Sequence, residues 1–380
     1  MLLENQSHMF EMEDGVTYLN AASYTPLPKA TYQAGLKGLA RKYRPWAMNG
    51  AEPPAEAELI RSLFGNLVGA PASDIAIVSS TSYGVAVMAK NLPISTGQEI
   101  VVITDQFPSN IFSWRHLAKE TGASLKVAPR PEDGNWTPNV LDVIGPNTAI
   151  TALPPCHWAD GTRLDLEAIG EKCREVGAAL CIDSTQTAGA MPMDMSRIQP
   201  DFMVASAYKW LLCPYTLAFL YVAPHRQNGT PLEQHRWNMA NVQAEATEVE
   251  YPEEFANGAG RFDMGERNNF INMPMAVASL EQLAAWTPAA IQETLRGLTD
   301  MAADLARGRG WGVVPDKNRV GHFLGVRPSS PPPVNIGAQM KAKGFHISLR
   351  GGNSIRIAPY LFNDASDIQR TFEALDDLLD

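Results

Sequence analysis

The stretch that decides the fold is CIDSTQTAGAMPMDMSRIQPDFMVASAYKW, residues 181–210. The apolar run 178–182 predicts a buried strand, and Asp183 stands at its carboxyl end. Ligands of open parallel sheets gather outside the carboxyl ends of the strands, so we expect a site residue at this position. Taken alone, Asp183 is equally typical of a residue that caps the following turn.

Lys209 closes the same stretch and lies between the apolar segments 202–204 and 211–212. An ammonium group without a partner is costly to bury, and burial lowers its pKa. A lysine in this setting is therefore a candidate for nucleophilic chemistry. A solvated lysine is the alternative that this residue leaves open by itself. Its spacing from Asp183 (209 minus 183 gives 26 positions) is the second feature to be explained.

Residues 181–210 resemble the cofactor segment of the class V aminotransferase family of fold-type I enzymes, which depend on pyridoxal 5′-phosphate (PLP). In that family Asp-x-x-Gln/His leads, after a similar interval, to a Ser-x-Tyr-Lys or related motif, matched here by Ser206 to Lys209. The family includes cysteine desulfurases, kynureninases and isopenicillin N epimerase-like proteins. The resemblance runs from about residue 18 to the end of the chain.

Strands alternate with helices along the chain, which independently favours a mainly parallel, doubly wound sheet. The resemblance implies an α/β fold with a large PLP-binding domain over residues 15–260, built on a mainly parallel seven-stranded sheet. A smaller C-terminal α/β domain is expected over residues 261–380, with residues 1–14 packing on it. Homodimers with active sites near the subunit interface are also implied.

The resemblance assigns roles to individual residues. It implies that Lys209 bears the cofactor as a Schiff base and serves as the base that forms a substrate α-carbanion. It implies that Asp183 keeps the pyridine nitrogen protonated and that Gln186 hydrogen-bonds the phenolic oxygen. The remaining implied cofactor contacts are Thr81, Ser82, Tyr83, Phe107, Ser206, Tyr208 and Asn268, and the implied substrate contacts are Asn20 and Arg356.

For three of these sites a second interpretation is open: residues 80–84, Phe107 and Arg356. Residues 80–84 follow an apolar strand and open a helix, which is typical of a phosphate site but also of a simple helix cap. Phe107 stands where many relatives have a histidine on the ring, and the alternative is a core residue before a turn. Arg356 suits bidentate binding of an α-carboxylate, and the alternative is a surface-strand arginine.

Other positions are less decided. His157 is either near the substrate or a structural histidine, and Arg267 is a further candidate contact to the partner's phosphate. The irregular stretch 224–262 is expected to line the active site, because long loops in compact domains are usually functional or disordered.

The chain has no cysteine after Cys213, whereas cysteine desulfurases carry a nucleophilic cysteine shortly before the arginine matched by Arg356. We therefore expect no desulfuration through a protein persulfide. Transamination and epimerization are the expected reactions, and a β-lyase or a kynureninase-like hydrolase is the alternative. A non-catalytic PLP-fold protein and a serine β-lactam enzyme, suggested by S-x-x-K at 206–209 but lacking its companion motifs, are the rival classes.

The composition and the charge restrict which ligands, metals and compartments we expect for this chain. A net charge of −10 argues against a nucleic-acid ligand held through its phosphates. No apolar run reaches the ~20 residues of a membrane-spanning helix, and the N-terminus lacks the pattern of a secretory signal. The four cysteines form no C-x-x-C pair and the seven histidines no H-x-x-x-H pair, so we expect reduced thiols, a cytoplasmic protein and no metal site.

Overall fold

The computed structural model describes residues 2–240 and 251–379. The strands are β1 (Thr17–Tyr18), β2 (Ile75–Val78), β3 (Glu99–Ile103), β4 (Ser124–Ala128), β5 (Thr148–Leu153), β6 (Ala179–Asp183), β7 (Phe202–Ser206), β8 (Ala218–Val222), β9 (Gly312–Val313), β10 (Leu324–Arg327), β11 (Phe345–His346), β12 (Ser348–Arg350) and β13 (Ser354–Ile357). The helices are α1 (Lys29–Tyr43), α2 (Glu52–Val68), α3 (Thr81–Asn91), α4 (Phe112–Thr121), α5 (Trp136–Val143), α6 (Leu166–Val176), α7 (Met195–Ile198), α8 (Asn272–Trp286), α9 (Pro288–Gly308), α10 (Ile336–Ala342) and α11 (Ala365–Leu379).

A seven-stranded sheet of order β2-β8-β7-β6-β5-β3-β4 forms the centre of the molecule. Neighbouring strands from β4 to β7 run parallel, and β8 runs antiparallel to both of its neighbours. Strands β6, β7 and β8 are buried at every residue, as expected for strands covered on both faces. The predicted fold class, a mainly parallel and doubly wound α/β sheet, is confirmed.

The side chains on the two faces of this sheet pack into two separate hydrophobic clusters. Side chains alternate between the faces along a strand, so Ile75 and Ile77 of β2 enter one cluster while Ala76 and Val78 enter the other. Helices α2 and α8 pack on the first face, and helices α3 and α4 pack on the second. The short apolar runs of the sequence are therefore buried on both sides, which is why they read as continuous rather than alternating.

Helix α1 approaches α8 closely because small residues face the contact. A Cβ at Gly38 would lie 2.5 Å from the Phe270 carbonyl oxygen, so only glycine fits there. The buried hydroxyls of Thr31 and Ser279 lie 2.8 Å apart between the two helices. The first cluster continues through α8 to residues 358–362, so one core connects the central sheet to the C-terminal part of the chain.

The C-terminal part has its own antiparallel sheet of order β12-β13-β10-β9, and α9, α10 and α11 bury a third cluster against it. The N-terminal segment lies beside this part. The Gln6 amide donates to the Leu361 carbonyl at 2.7 Å, and the Phe10 ring meets that of Phe362 edge-on at 5.1 Å. The domain limits at residues 260 and 261 stay a prediction. Among the residues that the structure describes, no helix combines the length and apolarity that crossing a bilayer requires.

Candidate active site

A cavity of about 330 Å³ opens at the carboxyl edge of the central sheet. Its walls come from the segments that follow β2, β3, β5, β6 and β7, together with the segment that precedes the antiparallel β8. Parallel strands bring their carboxyl ends to one edge, so residues more than 100 positions apart converge there. The predicted residues that line this cavity are Thr81, Ser82, Phe107, Asp183, Gln186, Ser206, Tyr208 and Lys209.

Lys209 is the central residue of the cavity. It follows β7 in a turn, and its side chain is only 6% exposed. Its Nζ lies 5.4 Å from the centre of the Phe107 ring and 5.5 Å from that of Tyr208. Burial and the nearby Arg356 charge lower the pKa of Lys209 to about 8, and the Asp183 carboxylate opposes part of that shift. A lysine in this state is a usable nucleophile and base near neutral pH.

Asp183 ends β6 and is buried in the same cavity. The amide of Thr185 donates to its Oδ1 at 3.1 Å. Burial raises the pKa of Asp183, while the Thr185 hydrogen bond and the Lys209 charge act in the opposite direction. A buried carboxyl group of this kind is stabilised by a cation or an N–H donor placed against it.

Three hydroxyl groups meet beside Lys209. Thr81 Oγ1 lies 2.8 Å from Thr185 Oγ1 and 2.7 Å from Ser206 Oγ. These contacts link the chain at the ends of β2, β6 and β7. Thr81 is also the first residue of α3, whose terminal amides carry the positive end of the helix dipole. The arrangement suits an anion such as a phosphate. Thr185 was not predicted, although a hydroxyl residue two positions after Asp183 is a signal that could have indicated it.

The helix cap itself is made by Ser80. Its Oγ accepts the Tyr83 amide at 3.1 Å, so the predicted Tyr83 N–H is already engaged within the chain. Tyr83 does not line the cavity, and its buried hydroxyl has no hydrogen-bond partner in the described residues. The first amides of a helix have no intrahelical acceptor, which leaves those of Thr81 and Ser82 as the available donors.

Phe107 and Gln186 line the cavity together with these hydroxyl groups and Asp183. The Phe107 ring meets Trp158 edge-on at 5.4 Å, and Trp158 lines the cavity as well. Gln186 donates to the Ala22 carbonyl at 3.0 Å and accepts the Trp210 indole N–H at 2.9 Å. Its amide plane is therefore fixed, and one of its two N–H bonds stays available as a donor. The sequence did not indicate Trp158.

Two arginines lie next to the cavity on the side of the C-terminal sheet. Arg356 is 1% exposed and donates to Ser23 Oγ at 2.7 Å and to the Trp158 carbonyl at 2.8 Å. Arg350 donates to the same Ser23 Oγ at 3.0 Å. Asn20 does not line the cavity, but its Oδ1 accepts the Ser23 hydroxyl at 2.8 Å and so orients that side chain. Ser23 and Arg350 were missed at the sequence level.

The remaining candidates lie away from the cavity. Both amide atoms of Asn268 are buried without a hydrogen-bond partner in the described residues. Arg267 pairs with Asp263 at 3.0 Å and with Glu58 at 3.2 Å of its own chain. His157 is fully buried and stacks on Trp136 at 5.6 Å, which matches the structural alternative for this residue.

The irregular stretch 224–262 does not line the cavity in its described parts, contrary to expectation. Its 3₁₀ turn at Ala259–Phe262 instead packs into the second hydrophobic cluster beside β2, through buried Ala259 and Phe262. The acidic cluster at residues 248–250 lies outside the described residues.

These groups fit PLP. The hydroxyls and free amides at the α3 N-terminus suit its phosphate, Phe107 offers a ring face, and Asp183 suits a protonated pyridine nitrogen. The buried Lys209 of lowered pKa suits the aldehyde. The cavity volume lies within the usual range for a small-molecule site.

Comparisons with known proteins agree with this fit. Isopenicillin N epimerase from Streptomyces clavuligerus is 25% identical over 60% of this chain and 58% of its own length. A probable cysteine desulfurase from Mycolicibacterium paratuberculosis is 28% identical over 78% of this chain and 43% of its own length. The matches thus span less than two thirds of these two relatives. A solved C-DES mutant with glycine covalently linked to its PLP cofactor has a TM-score of 0.86 at 18% identity, covering 98% of this chain and 99% of that one, and shares the fold.

The family model for class V aminotransferases matches residues 17–304. That span includes the cavity and every predicted site residue except Arg356. The resemblance stated from the sequence is confirmed, and membership of this family supports pyridoxal 5′-phosphate as the cofactor. This chain belongs to the class V aminotransferase family.

Proposed function

We propose that the chain is a PLP-dependent transaminase acting on an amino acid with a free α-carboxylate, and that Lys209 moves the proton at the substrate Cα. The observation that carries the proposal is the buried Lys209 amine, whose pKa is lowered to about 8 in a cavity shared with the buried Asp183. A general base works best when its pKa lies near the working pH.

Different residues of the cavity bind different parts of the cofactor. The residues that hold the phosphate are Thr81, Ser82, Ser206 and Tyr208. The Thr185 hydroxyl positions Thr81 and Ser206. Phe107 covers one face of the ring. Asp183 pairs with the ring nitrogen, and Gln186 offers its free N–H to the phenolic oxygen.

When bound, PLP withdraws electrons from the substrate Cα and, in transamination, retains the amino group. Arg356 binds the substrate α-carboxylate, and Ser23 and Asn20 fix the orientation of its guanidinium. Lys209, freed when the substrate amine takes its place, would accept the Cα proton and deliver it on the same face to the carbon of the cofactor that carried the aldehyde. The half-buried rings of Phe107 and Tyr208 lie beside the amine and shield it in part from water.

With Lys209 as the one base, transamination is favoured over epimerization. Epimerization by two bases needs a second group on the opposite face of the substrate that titrates near neutrality. Two other titratable groups of the described walls are unsuited to that role. Burial raises the pKa of Tyr208 to about 12 and raises the pKa of Cys156 well above its ordinary range. Asp183 is committed to the ring nitrogen.

We further propose that the active form is a homodimer. Helix α1 exposes a stripe of large apolar side chains at spacings of four, three and four positions, on a side turned roughly 100° from the face that packs on α8: Tyr32, Leu36, Leu39 and Tyr43. Such a stripe is typical of a surface covered by a partner. The unpartnered amide of Asn268 is our candidate contact to a group of the second subunit. Sedimentation of Leu36→Asp tests this, and an unchanged mass would argue against α1 as the interface.

The proposal places the protein in a reducing compartment, the cytoplasm. All four cysteines are free and buried, as is usual for chains that work among reduced thiols. Expression of a tagged full-length chain followed by fractionation would test this location.

The activity is tested with a panel of L-amino acids and 2-oxo acids. A transaminase gives the new amino acid and oxo acid with no free ammonia and no D-isomer. Ammonia release would indicate a lyase, and a D-isomer would indicate an epimerase. Lys209→Ala should abolish turnover and the yellow colour that borohydride removes, whereas the exposed Lys119→Ala should change neither. Turnover by Lys209→Ala would refute the central role of this lysine.

A further inference from the structure

The two arginines beside the cavity are set on neighbouring strands with a fixed relation. Ser348 of β12 pairs directly with Arg356 of β13. Arg350 lies two residues beyond Ser348 and therefore on the same face of the sheet. The two guanidinium groups are thus diagonal neighbours, and both donate to Ser23 Oγ, at 3.0 Å from Arg350 and 2.7 Å from Arg356.

Both guanidinium groups keep unused donors. The Nε atoms of Arg350 and Arg356 are buried and have no hydrogen-bond partner among residues 2–240 and 251–379. Arg350 also lies 5.7 Å from the centre of the Trp158 ring, and Arg356 contacts the Trp158 carbonyl oxygen. Because Trp158 lines the cavity, the donors of both arginines lie at its border.

The charge of this pair is not balanced by the protein. The other buried arginines each have a carboxylate partner: Arg61 and Arg267 pair with Asp263, and Arg319 pairs with Asp300. Within the described part of the chain, neither Arg350 nor Arg356 has an aspartate or glutamate within ion-pair distance. Arg356 is buried and Arg350 is half-buried, so withdrawing their charges from water without a counter-charge is costly, and the pair suits an anion that arrives with the ligand.

The electrostatics of the cavity agree with this reading. Burial and the neighbouring Arg350 charge lower the pKa of Arg356 to about 9. Both arginines also lower the pKa of Lys209, Arg356 more than Arg350. The charges of both arginines therefore act on the Lys209 amine. An anion bound between the two arginines is close enough to that amine to be part of the substrate.

A single α-carboxylate neutralises one of the two positive charges. We propose that Arg350 is a specificity-determining residue that binds a second carboxylate, so that the preferred substrate is a dicarboxylic amino acid. Arg356 takes the α-carboxylate and Arg350 the side-chain carboxylate, with Ser23 Oγ bridging the two guanidinium groups. This inference rests on the proposed function, since it names the substrate class of the same cavity.

Calorimetric titration of the holoenzyme with succinate and succinamate tests the inference, because the two probes differ by one carboxylate. We expect succinate to bind about 10- to 100-fold more tightly, the contribution of a hydrogen bond to a charged group. Arg350→Met should remove this difference by weakening succinate alone. Arg350→Lys, which keeps the charge but not the planar fork, should retain part of it. Arg115→Met, which removes the same charge from an exposed position on α4, should bind both probes as the wild type does.

Turnover gives the second readout. The ratio of kcat/KM for aspartate or glutamate over asparagine or glutamine should fall toward one in Arg350→Met. Equal wild-type affinity for the two probes, or equal losses for both in Arg350→Met, would refute the second-carboxylate role. A colourless protein without Lys209-linked cofactor would instead refute the proposed function itself, so the two failures are distinguishable.

Discussion

Replacing Lys209 by methionine in the cofactor-free protein should make the fold more stable at neutral pH. The side chain is 6% exposed, and burial with the Arg356 charge lowers its pKa from 10.5 to about 8. A tenfold change in a protonation equilibrium corresponds to about 1.36 kcal/mol, so the fall of the pKa from 10.5 to about 8 sets an upper limit of ~3 kcal/mol on the cost of the buried charge. Methionine has a similar length and no charge, so it removes this cost while filling the same space.

The gain should depend on pH in a defined direction. The folded-state pKa lies below the unfolded one, so the unfolded chain binds more protons between about pH 8 and 10.5. The free energy of unfolding of the wild type therefore rises with pH through that window. The variant lacks this contribution to the pH dependence. The advantage of Lys209→Met is complete below about pH 8 and declines toward zero near pH 10.5.

Urea unfolding followed by circular dichroism, at equal protein concentration and at pH 7 and pH 10, measures both effects. Lys119→Met, on an exposed position of α4, is the matched control and should stay within about 0.5 kcal/mol of the wild type. A variant that is no more stable than the wild type at pH 7, or an advantage that is the same at both pH values, would refute the reasoning.

Three further outcomes follow from the site. Asp183→Asn keeps the shape of the side chain but removes its charge, so kcat should fall roughly 100-fold while absorbance still shows bound cofactor; an unchanged kcat would contradict the ring-nitrogen role. Thr81→Ala removes a hydroxyl that contacts Ser206, so titration of the cofactor-free protein should give a PLP Kd raised about 5- to 10-fold, and an unaltered Kd would place the phosphate elsewhere. His157→Leu should lower stability by about 1–3 kcal/mol, because the Asp160 and Arg130 polar groups lose a buried partner, with kcat/KM of the folded protein unchanged. A loss of kcat/KM at full stability would assign His157 to the chemistry.

The local pattern of the sequence determined most of the fold. The strand before the cofactor segment was predicted at residues 178–182 and occurs at Ala179–Asp183, so each end differs by one residue. Short apolar runs bounded by polar turns need no distant information, because burial on both faces of a parallel sheet selects them directly. Asp183 and Lys209 were assigned to one site by the family resemblance, and they meet because Asp183 ends β6 while Lys209 follows the adjacent parallel strand β7.

Only the tertiary structure decided which side chains complete the site. The Thr81–Thr185 contact joins residues 104 positions apart, and the contacts of Ser23 with Arg350 and Arg356 join residues 327 and 333 positions apart. Nothing in the local sequence around Ser23 or Arg350 distinguishes them from other polar residues of a loop and a short strand. Their role arises because the chain topology brings two strands of the C-terminal sheet against the N-terminal loop, where one hydroxyl meets a buried and a half-buried guanidinium group.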